Sequence, residues 1–394
     1  MSMVCGSTFR DRGFDVVIVG AGSVGVPTAM ALSAMGAKTL VLDARTSPGQ
    51  GENKAAIGGI RATHSDPAKI TACLRSLEIV STWRETYGDD VEWLKGGYLF
   101  PVYREQDRDA LLGLLPIQRK HGLRVDFVDA DAVREVVPGM VQEGLLGGHY
   151  SPDDGSASPL LCANAFYRRA CELGAQFRFN QRVDELIIEG GRAHGVRTAA
   201  GDTIPCGVVI DAAGAAAGDL CARSGIDLPV VAEAHEAGIT EPVARMFNCM
   251  VVDIRPAEGS KNFYFYQSAR GQVVFCITPE PPVLKPDRRE TSAFLPQVAA
   301  RMVQLLPRLK NLRVRRTWRG LYPMTPDASP VVGWDCAVEG VFHTAGMCGQ
   351  GFMLGPGLGE AVARGVTGSP TPADEIVLKG FDLSRDFCGT EFLK

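Results

Sequence analysis

The sequence predicts an α/β chain, α+β overall, in which a parallel-sheet domain is interrupted by an inserted, mostly antiparallel sheet. Three observations carry this reading. Asp15-Val-Val-Ile-Val-Gly-Ala-Gly-Ser-Val-Gly25 joins a buried apolar run to glycines at G-x-G-x-x-G spacing. Residues 216–320 change character, with more aromatics and alternating stretches such as Phe263-Tyr-Phe-Tyr266 and Gln272-Val-Val-Phe-Cys-Ile277. Val341-Phe-His-Thr-Ala345 then returns to the buried-strand pattern, so the first domain closes with residues from late in the chain.

Each element follows from its residues. Gly20 permits a tight turn, Gly22 lets the backbone approach a pyrophosphate, and Gly25 lets helix and strand pack closely. Residues 26–35 form a helix whose N-terminus offers free N–H groups and a partial positive charge to phosphates. The apolar strand 39–42 ends in Asp43, eighteen residues past Gly25, where a carboxylate accepts hydrogen bonds from a ribose. Together these define a Rossmann-like dinucleotide site. No second such unit occurs, so one dinucleotide is expected.

Residues 44–59, rich in Gly, Ser, Asn and Lys, read as a long functional loop. Asp66-Pro67 starts a helix that runs to about residue 87, with Ile70, Cys73, Leu74, Leu77 and Val80 at helical spacing. A strand at 96–103 follows, then an amphipathic helix at 105–121 and a short helix at 129–136. Residues 147–159 read as a turn-rich joint and 160–173 as a helix. A hairpin spans 182–188 and 193–198, and the buried strand 208–213 ends at Gly214. A helix is expected at 291–306, and the glycine-rich run 346–359 leads into another at 358–366. These signals place a nucleotide-binding domain at 14–90, 148–215 and 325–370, a substrate domain at 91–147 and 216–324, and a C-terminal tail at 371–394.

Bulk properties narrow the function. A net charge of −4 over 394 residues gives no footprint for nucleic acid. No apolar run reaches the length of a membrane span. Arg10-Asp-Arg-Gly runs straight into the first strand without the order of a signal peptide. Eleven cysteines without a C-x-x-C pair fit a reduced compartment, so a cytoplasmic location is expected. The six histidines show no H-x-x-x-H spacing, and no metal is expected. His64 and His343 read as structural. The basic run Arg308, Lys310, Arg313, Arg315, Arg316, Arg319 reads first as a solvated strand face, and second as a patch for an anionic substrate or acidic partner.

Three separated stretches together resemble the flavin-dependent amine and amino-acid oxidoreductases, the group of D-amino acid oxidase, glycine oxidase, sarcosine oxidase and the flavoprotein subunit of L-proline dehydrogenase. They are residues 20–43, Gly58-Gly-Ile-Arg61, and Tyr322-Pro-Met-Thr-Pro-Asp327 with its sequel through Gly346-Met-Cys-Gly-Gln350-Gly-Phe-Met353. The resemblance covers about residues 14–368. It implies a Rossmann-like FAD-binding domain with an inserted substrate domain, and a single FAD.

Departures from the family pattern are informative. Gly320 stands where some relatives carry a flavin-linking cysteine, so the FAD is expected to be noncovalent. Phe275 and Met353 align with lysines of the oxidases, one that helps oxygen react and one that binds substrate. Ser158-Pro159 replaces the histidine that holds a second flavin in heterotetrameric sarcosine oxidase. Gly351-Phe-Met353, Gly97-Tyr-Leu-Phe100 and residues 309–318 are most similar to the L-proline dehydrogenase flavoprotein.

Carried onto this chain, the family's dinucleotide contacts fall on Gly20, Gly22, Ser23, Val24 and Gly25, then on Asp43, Ala44 and Arg45. Further FAD contacts fall on Asn53, Lys54, Ala55, Gly58 and Gly59, and on Val183, Ala213 and Gly214. The flavin cradle is expected at Gly346, Gly349, Gln350, Gly351, Phe352 and Met353, where backbone N–H groups would stabilise charge on the ring. Arg61 matches the arginine that pairs with a substrate carboxylate; a planar, permanently charged fork suits that task. Its plain alternative is a structural ion pair. Tyr264 and Tyr322 match tyrosines lining the pocket, or are core aromatics. Gln350 lies beside the flavin by the same resemblance.

The reaction implied is hydride transfer to flavin N5 from the carbon next to the nitrogen of a small amine or amino acid, of sarcosine, glycine, proline or D-amino acid type. A dehydrogenase or redox subunit is favoured over a fast oxidase. The alternatives are a catalytically weak flavoprotein with an electron-transfer or structural role in a complex, and, more remotely, an NAD enzyme. Partners stay open between a hetero-oligomeric redox subunit and a homo-oligomer.

Overall fold

The computed structural model describes residues 13–389, 391 and 393. They divide into two compact units. One comprises residues 13–54, Cys162–Val231 and the stretch from Pro323 to residue 389. The other comprises Ala55–Leu161, Ala232–Tyr322, and Glu391 and Leu393.

In the first unit the strand Phe14–Val19, buried from Val16 onward, runs parallel to Thr39–Leu42 and to Thr203–Asp211. Val17 stands opposite both Leu40 and Val209. The sheet order is Val183–Glu189, Arg192–Thr198, Thr203–Asp211, Phe14–Val19, Thr39–Leu42, Gln176–Arg178. Val341–Ala345 adds in parallel to Thr203–Asp211 and carries Val331–Trp334 on its other edge. Strands covered on both faces need continuous apolar runs, which is why these were readable without alternation.

The first strand feeds the helix Gly25–Ala34 through a turn in which Gly20 has φ +111°, and a Cβ on Gly25 would lie 2.0 Å from the Gly20 carbonyl oxygen. The glycine-rich run 346–359 is not one loop ending in a helix at 358. The helix Gly351–Thr367 begins at once after Gln350 and contains Gly355, Pro356, Gly357 and Gly359. Its glycines have a packing reason: a Cβ on Gly355 would meet the Ser23 carbonyl oxygen at 1.9 Å, and one on Gly359 the Pro27 backbone at 2.8 Å. Two helices thus approach to backbone contact, and helix propensity yields to tertiary packing.

The second unit is built on a sheet in the order Val314–Met324, Val231–Pro242, Gln272–Pro279, Ser260–Gln267, Met250–Asp253, Tyr98–Val102, Gly147–Ser151, Asp126–Val128. Met250–Asp253 runs parallel to Tyr98–Val102, while Gln272–Pro279 is antiparallel to both Val231–Pro242 and Ser260–Gln267. Alternation sorts its side chains. Leu99, Val251, Phe263, Phe265, Phe275 and Ile277 join one core cluster with Phe294, Val298, Met302 and Leu305 of the helix Phe294–Leu305. Tyr98, Phe100, Val102, Met250, Tyr266 and Val274 line the other face. Each fully buried Phe of the first set contributes roughly 1.5–3 kcal/mol. That fixes the register, because a one-residue slip would exchange the two faces.

Three further expectations are corrected here. The joint at 147–159 contains a sheet strand, Gly147–Ser151, paired with Tyr98–Val102 and Asp126–Val128. Its glycines mark close packing: a Cβ on Gly148 would meet Leu99 at 2.7 Å and Val133 at 2.9 Å. The helix from Asp66 breaks at Thr82 into Pro67–Ser81 and Trp83–Tyr87, while Asp66 caps it as expected by accepting from Lys69 N. The helix expected at 291–306 is shorter, Phe294–Leu305.

Candidate functional site

The dinucleotide end is assembled within the first unit. Asp43 follows Thr39–Leu42 and orders the turn around it, one carboxylate oxygen accepting from Ala21 N at 2.7 Å and the other from Arg45 N at 2.6 Å. Asn180 N donates to the Arg45 carbonyl, tying in the next residue. Ala44 lies between them in the same turn. A side chain on Gly22 would meet nothing within 4 Å, and the same holds at Gly51 and Gly214. Ser23 and Val24 lead into the helix Gly25–Ala34, which has no side-chain cap at its N-terminus and whose Val26 N donates back to the Gly22 carbonyl at 3.2 Å. Asn53 and Lys54 lie in the short helix Glu52–Ala55, with Asn53 buried. Val183 opens the strand Val183–Glu189, and Ala213 and Gly214 follow Thr203–Asp211.

The flavin-cradle residues join the same unit. Gly346 has φ +65° and Gly349 φ +81°, so the loop before Gln350 turns where a side chain would be strained. Gly351, Phe352 and Met353 form the first helical turn, and a Cβ on Gly351 would lie 3.1 Å from Ser23 Oγ. Two stretches distant in sequence therefore meet at Ser23. Gln350 is buried, and its Oε1 has no hydrogen-bond partner among the described residues. Open space at three glycines, a helix N-terminus, a ribose-type acid and an orphaned buried amide oxygen fit a dinucleotide group bound there.

Arg61, Tyr264, Tyr322 and Gly58-Gly59 belong to the second unit. Tyr264 and Tyr322, distant in sequence, are brought together with hydroxyls 2.8 Å apart. Loss of water raises both phenols well above their ordinary range, with Cys276 beside them adding to the shift, so both stay neutral. Phe275, expected near the reacting end, packs instead on Phe294 with ring centroids 6.0 Å apart, on the opposite sheet face. Its neighbour Cys276 faces the tyrosines, and burial pushes that thiol up to about 11. Gly58 and Gly59 lie under Tyr266 and Tyr98, whose hydroxyls a Cβ would meet at 3.0 and 1.8 Å. Trp318 Nε1 donates to the Ala55 carbonyl at 2.9 Å.

Arg61 is buried and engaged. Nη1 donates to the Thr63 carbonyl and approaches His64 Nδ1 at 3.2 Å, while Nη2 donates to the Leu393 carbonyl. Its guanidinium also lies 5.7 Å from the centroid of the Phe100 ring. His64 is buried: burial, then Arg61, holds it well below its ordinary pKa and therefore neutral. Asp154 accepts from Ala62 N at 2.9 Å and from Thr63 Oγ1, fixing the turn after Arg61. Burial raises its carboxyl to about 6.

Several residues of these clusters were not singled out from the sequence. Glu391 and Lys69 form a buried pair at 3.4 Å. His235 stacks on Tyr322 with centroids 3.8 Å apart, and its Nε2 lies 2.8 Å from Glu233 Oε1. The signal for the latter was present: Glu233 and His235 share one face of a strand at i, i+2. In the first unit His343 Nε2 lies 3.0 Å from Asp335 and Nδ1 3.5 Å from Asp211, to which the Cys221 thiol also donates. Donor atoms of Asp211, Cys221 and His343 lie within 4.8 Å of one another, a spacing a metal would accept, but here they bond to each other. Of the basic run, Arg313, Arg315 and Arg316 are exposed as expected, whereas Arg319 is partly buried, 4.0 Å from both Glu236 and Asp287.

The fold and the glycine-lined turn define a dinucleotide-binding protein of the Rossmann-like kind. The comparisons agree: residues 15–364 match the family described as FAD dependent oxidoreductase, and the chain belongs to that family. Its cofactor is FAD. The chain is 26% identical over 93% of its length to 4-methylaminobutanoate oxidase (formaldehyde-forming) of Paenarthrobacter nicotinovorans, of which it spans 44%. It is 25% identical over 94% of its length to glycine oxidase of Geobacillus kaustophilus, spanning 97% of that protein. Among solved structures it is similar to L-proline dehydrogenase from P. horikoshii, with a TM-score of 0.87, 29% identity, and coverage of 94% of this chain and 97% of that one. Among the described residues no helix is long and apolar enough to cross a membrane.

Proposed function

We propose that the protein oxidises the C–N bond of a small amine or amino acid that also carries a carboxylate. The observation that carries this is the second unit's pairing of neutral tyrosines, Tyr264 and Tyr322, on a sheet that also bears Phe100, over which Arg61 lies. The relatives act on molecules of this kind: 4-methylaminobutanoate, glycine and L-proline each carry an amine nitrogen and a carboxylate. Bound FAD supplies the acceptor for a hydride from the carbon next to the nitrogen.

The chain's own residues do the rest. Gly20, Gly22, Ser23, Gly25 and Asp43 hold the dinucleotide end, and Gly346, Gly349, Gln350, Gly351, Phe352 and Met353 the ring end. Arg61 orients the substrate carboxylate as a planar fork. Tyr264 and Tyr322 accept and donate hydrogen bonds without charge, and the apolar face around Phe100, Met250 and Tyr266 excludes water. Such a surrounding disfavours an ammonium, so the amine enters in its neutral form, its proton left with bulk water, and keeps a lone pair to drive hydride departure.

Two observations support a dehydrogenase or redox subunit over a fast oxidase. The strand Gln272–Pro279, which carries Cys276 against the tyrosines, contains no lysine of the kind the oxygen-using relatives resemble each other in. Val314–Met324 is an edge strand whose first residues, Val314, Arg315 and Arg316, are exposed, a face open to a partner. The test is anaerobic mixing of the yellow holoprotein with sarcosine, glycine, L- and D-proline, hydroxyproline and D-amino acids, followed by oxygen or an artificial dye. Loss of flavin colour with at least one amine, and faster recovery with dye than with oxygen, is expected. Colourless protein that takes up no FAD contradicts the whole reading; rapid oxygen consumption without dye preference contradicts only the dehydrogenase part.

A further inference from the structure

Arg61, His64 and Lys69 are held inside the second unit by residues from much later in the chain. Arg61 Nη2 donates to the carbonyl of Leu393. Leu393 is 1% exposed and joins the apolar cluster of Tyr98, Phe100, Leu111, Met250 and Tyr266. Two residues earlier, Glu391 Oε1 accepts from Ser65 N at 2.9 Å and Ser65 Oγ at 2.8 Å. Its Oε2 lies 3.4 Å from Lys69 Nζ, with both side chains fully buried. An acceptor oxygen on the guanidinium, a carboxylate on the ammonium and a leucyl side chain among aromatic rings therefore fill one interior place.

That combination is the outline of a ligand. A second polar group stands in the same cluster: Phe100 has Arg61 at 5.7 Å and the ring of His149 at 6.2 Å. His149 is wholly buried, and neither ring nitrogen has a hydrogen-bond partner among the described residues. Buried polar groups are ordinarily satisfied, so an orphaned imidazole that shares the Phe100 ring with an arginine points to a guest that brings its own polar atoms.

We propose that this place is a binding site for a free carboxylate carrying an apolar group of about leucine's size, and that the segment bearing Glu391 and Leu393 is its tethered competitor. The inference rests on reading Arg61 as the carboxylate-binding residue. A free carboxylate offers Arg61 two oxygens in the plane of its fork, where the Leu393 carbonyl offers one. It also replaces the negative charge that Glu391 gives Lys69, so the two cations are never left buried without an anion. Burial opposes ionisation of Glu391, yet the facing side chains of His64, Lys69 and Arg61 outweigh it and hold the carboxyl below its ordinary range, so Glu391 stays ionised against Lys69 at neutral pH. Binding then requires release of the segment, and the apparent affinity falls by the fraction of molecules in which it is released.

Calorimetry on the FAD-loaded protein tests this without turnover, with 4-methylpentanoate as the probe and 4-methylpentanamide as the uncharged control. A chain ending at Gly389 should bind 4-methylpentanoate about tenfold or more tightly than the full chain. Glu391→Gln should move the Kd in the same direction by less, and it serves if the shortened chain does not retain FAD. Equal or weaker binding by both variants overturns the proposal. Arg61→Lys in the full chain separates this from the reading beneath it. If Arg61→Lys weakens binding while both tail variants leave it unchanged, the competitor idea alone fails. If Arg61→Lys has no effect, the carboxylate role of Arg61 fails with it.

Discussion

Tyr264 and Tyr322 depend on each other. Replacing Tyr264 by Phe removes one half of the 2.8 Å hydroxyl pair and leaves the Tyr322 hydroxyl short of a partner in a partly buried place, at a cost of about 1–3 kcal/mol. Steady-state kinetics on Tyr264→Phe should show a raised KM with a smaller change in kcat, and an unchanged KM would remove the pair from the substrate site. At the other end, Asp43 holds two backbone N–H groups, so Asp43→Ala should weaken FAD binding about tenfold to a hundredfold, read by flavin titration. His343 makes a separate prediction. Burial alone would lower its pKa, but Asp211, then Asp335 and Cys221, raise it to about 11 from 6.5. A raised folded pKa stabilises below the unfolded value and is lost as pH rises. The contribution is therefore complete below about pH 6.5 and disappears towards pH 11. His343→Gln should cost about 3–5 kcal/mol near neutrality and flatten the alkaline limb of a stability curve measured by urea unfolding.

Residues with a local signature were legible before the fold. Asp66 announced a cap because Pro67 follows it, and Asp43 announced itself by closing a strand after a glycine turn. The Glu391–Lys69 pair had no such signature, since it joins residues far apart in sequence and depends wholly on the tertiary fold.

Among elements, the helix Gly351–Thr367 shows where composition misleads. Its glycines suggest a loop because glycine is a poor helix former, but here the absent side chains at Gly355 and Gly359 admit the Ser23 carbonyl and the helix Gly25–Ala34. Gly355→Ala places a Cβ 1.9 Å from the Ser23 carbonyl oxygen, and the backbone there cannot step aside freely. The variant should lose about 1–3 kcal/mol of stability and release FAD more readily, measured together by thermal unfolding and flavin fluorescence. Retained stability and flavin affinity would show that the two helices do not need that approach. The same lesson applies to Gly147–Ser151, which read as a joint because its glycines hid a strand pressed against Leu99 and Val133. Strands rich in Val, Ile and Leu, by contrast, were legible at once, because burial on both faces leaves a continuous apolar run.

For the molecule as a whole, the return of the buried-strand pattern at Val341–Ala345 revealed a discontinuous fold before any coordinate did. It could not reveal what each unit contributes to chemistry, because the tyrosine pair and the Arg61 cluster arise from strands and turns that meet only in three dimensions. In the proposed reaction an FAD held by this chain takes a hydride from the carbon beside an amine nitrogen. Anaerobic stopped-flow mixing of the holoprotein with an amine that bleaches it, unlabelled and then deuterated at that carbon, tests this step most directly. Flavin colour should disappear with both and more slowly with the deuterated amine. A flavin that no amine in the panel bleaches, or one bleached at the same rate with either isotope under conditions where that step limits, would contradict it.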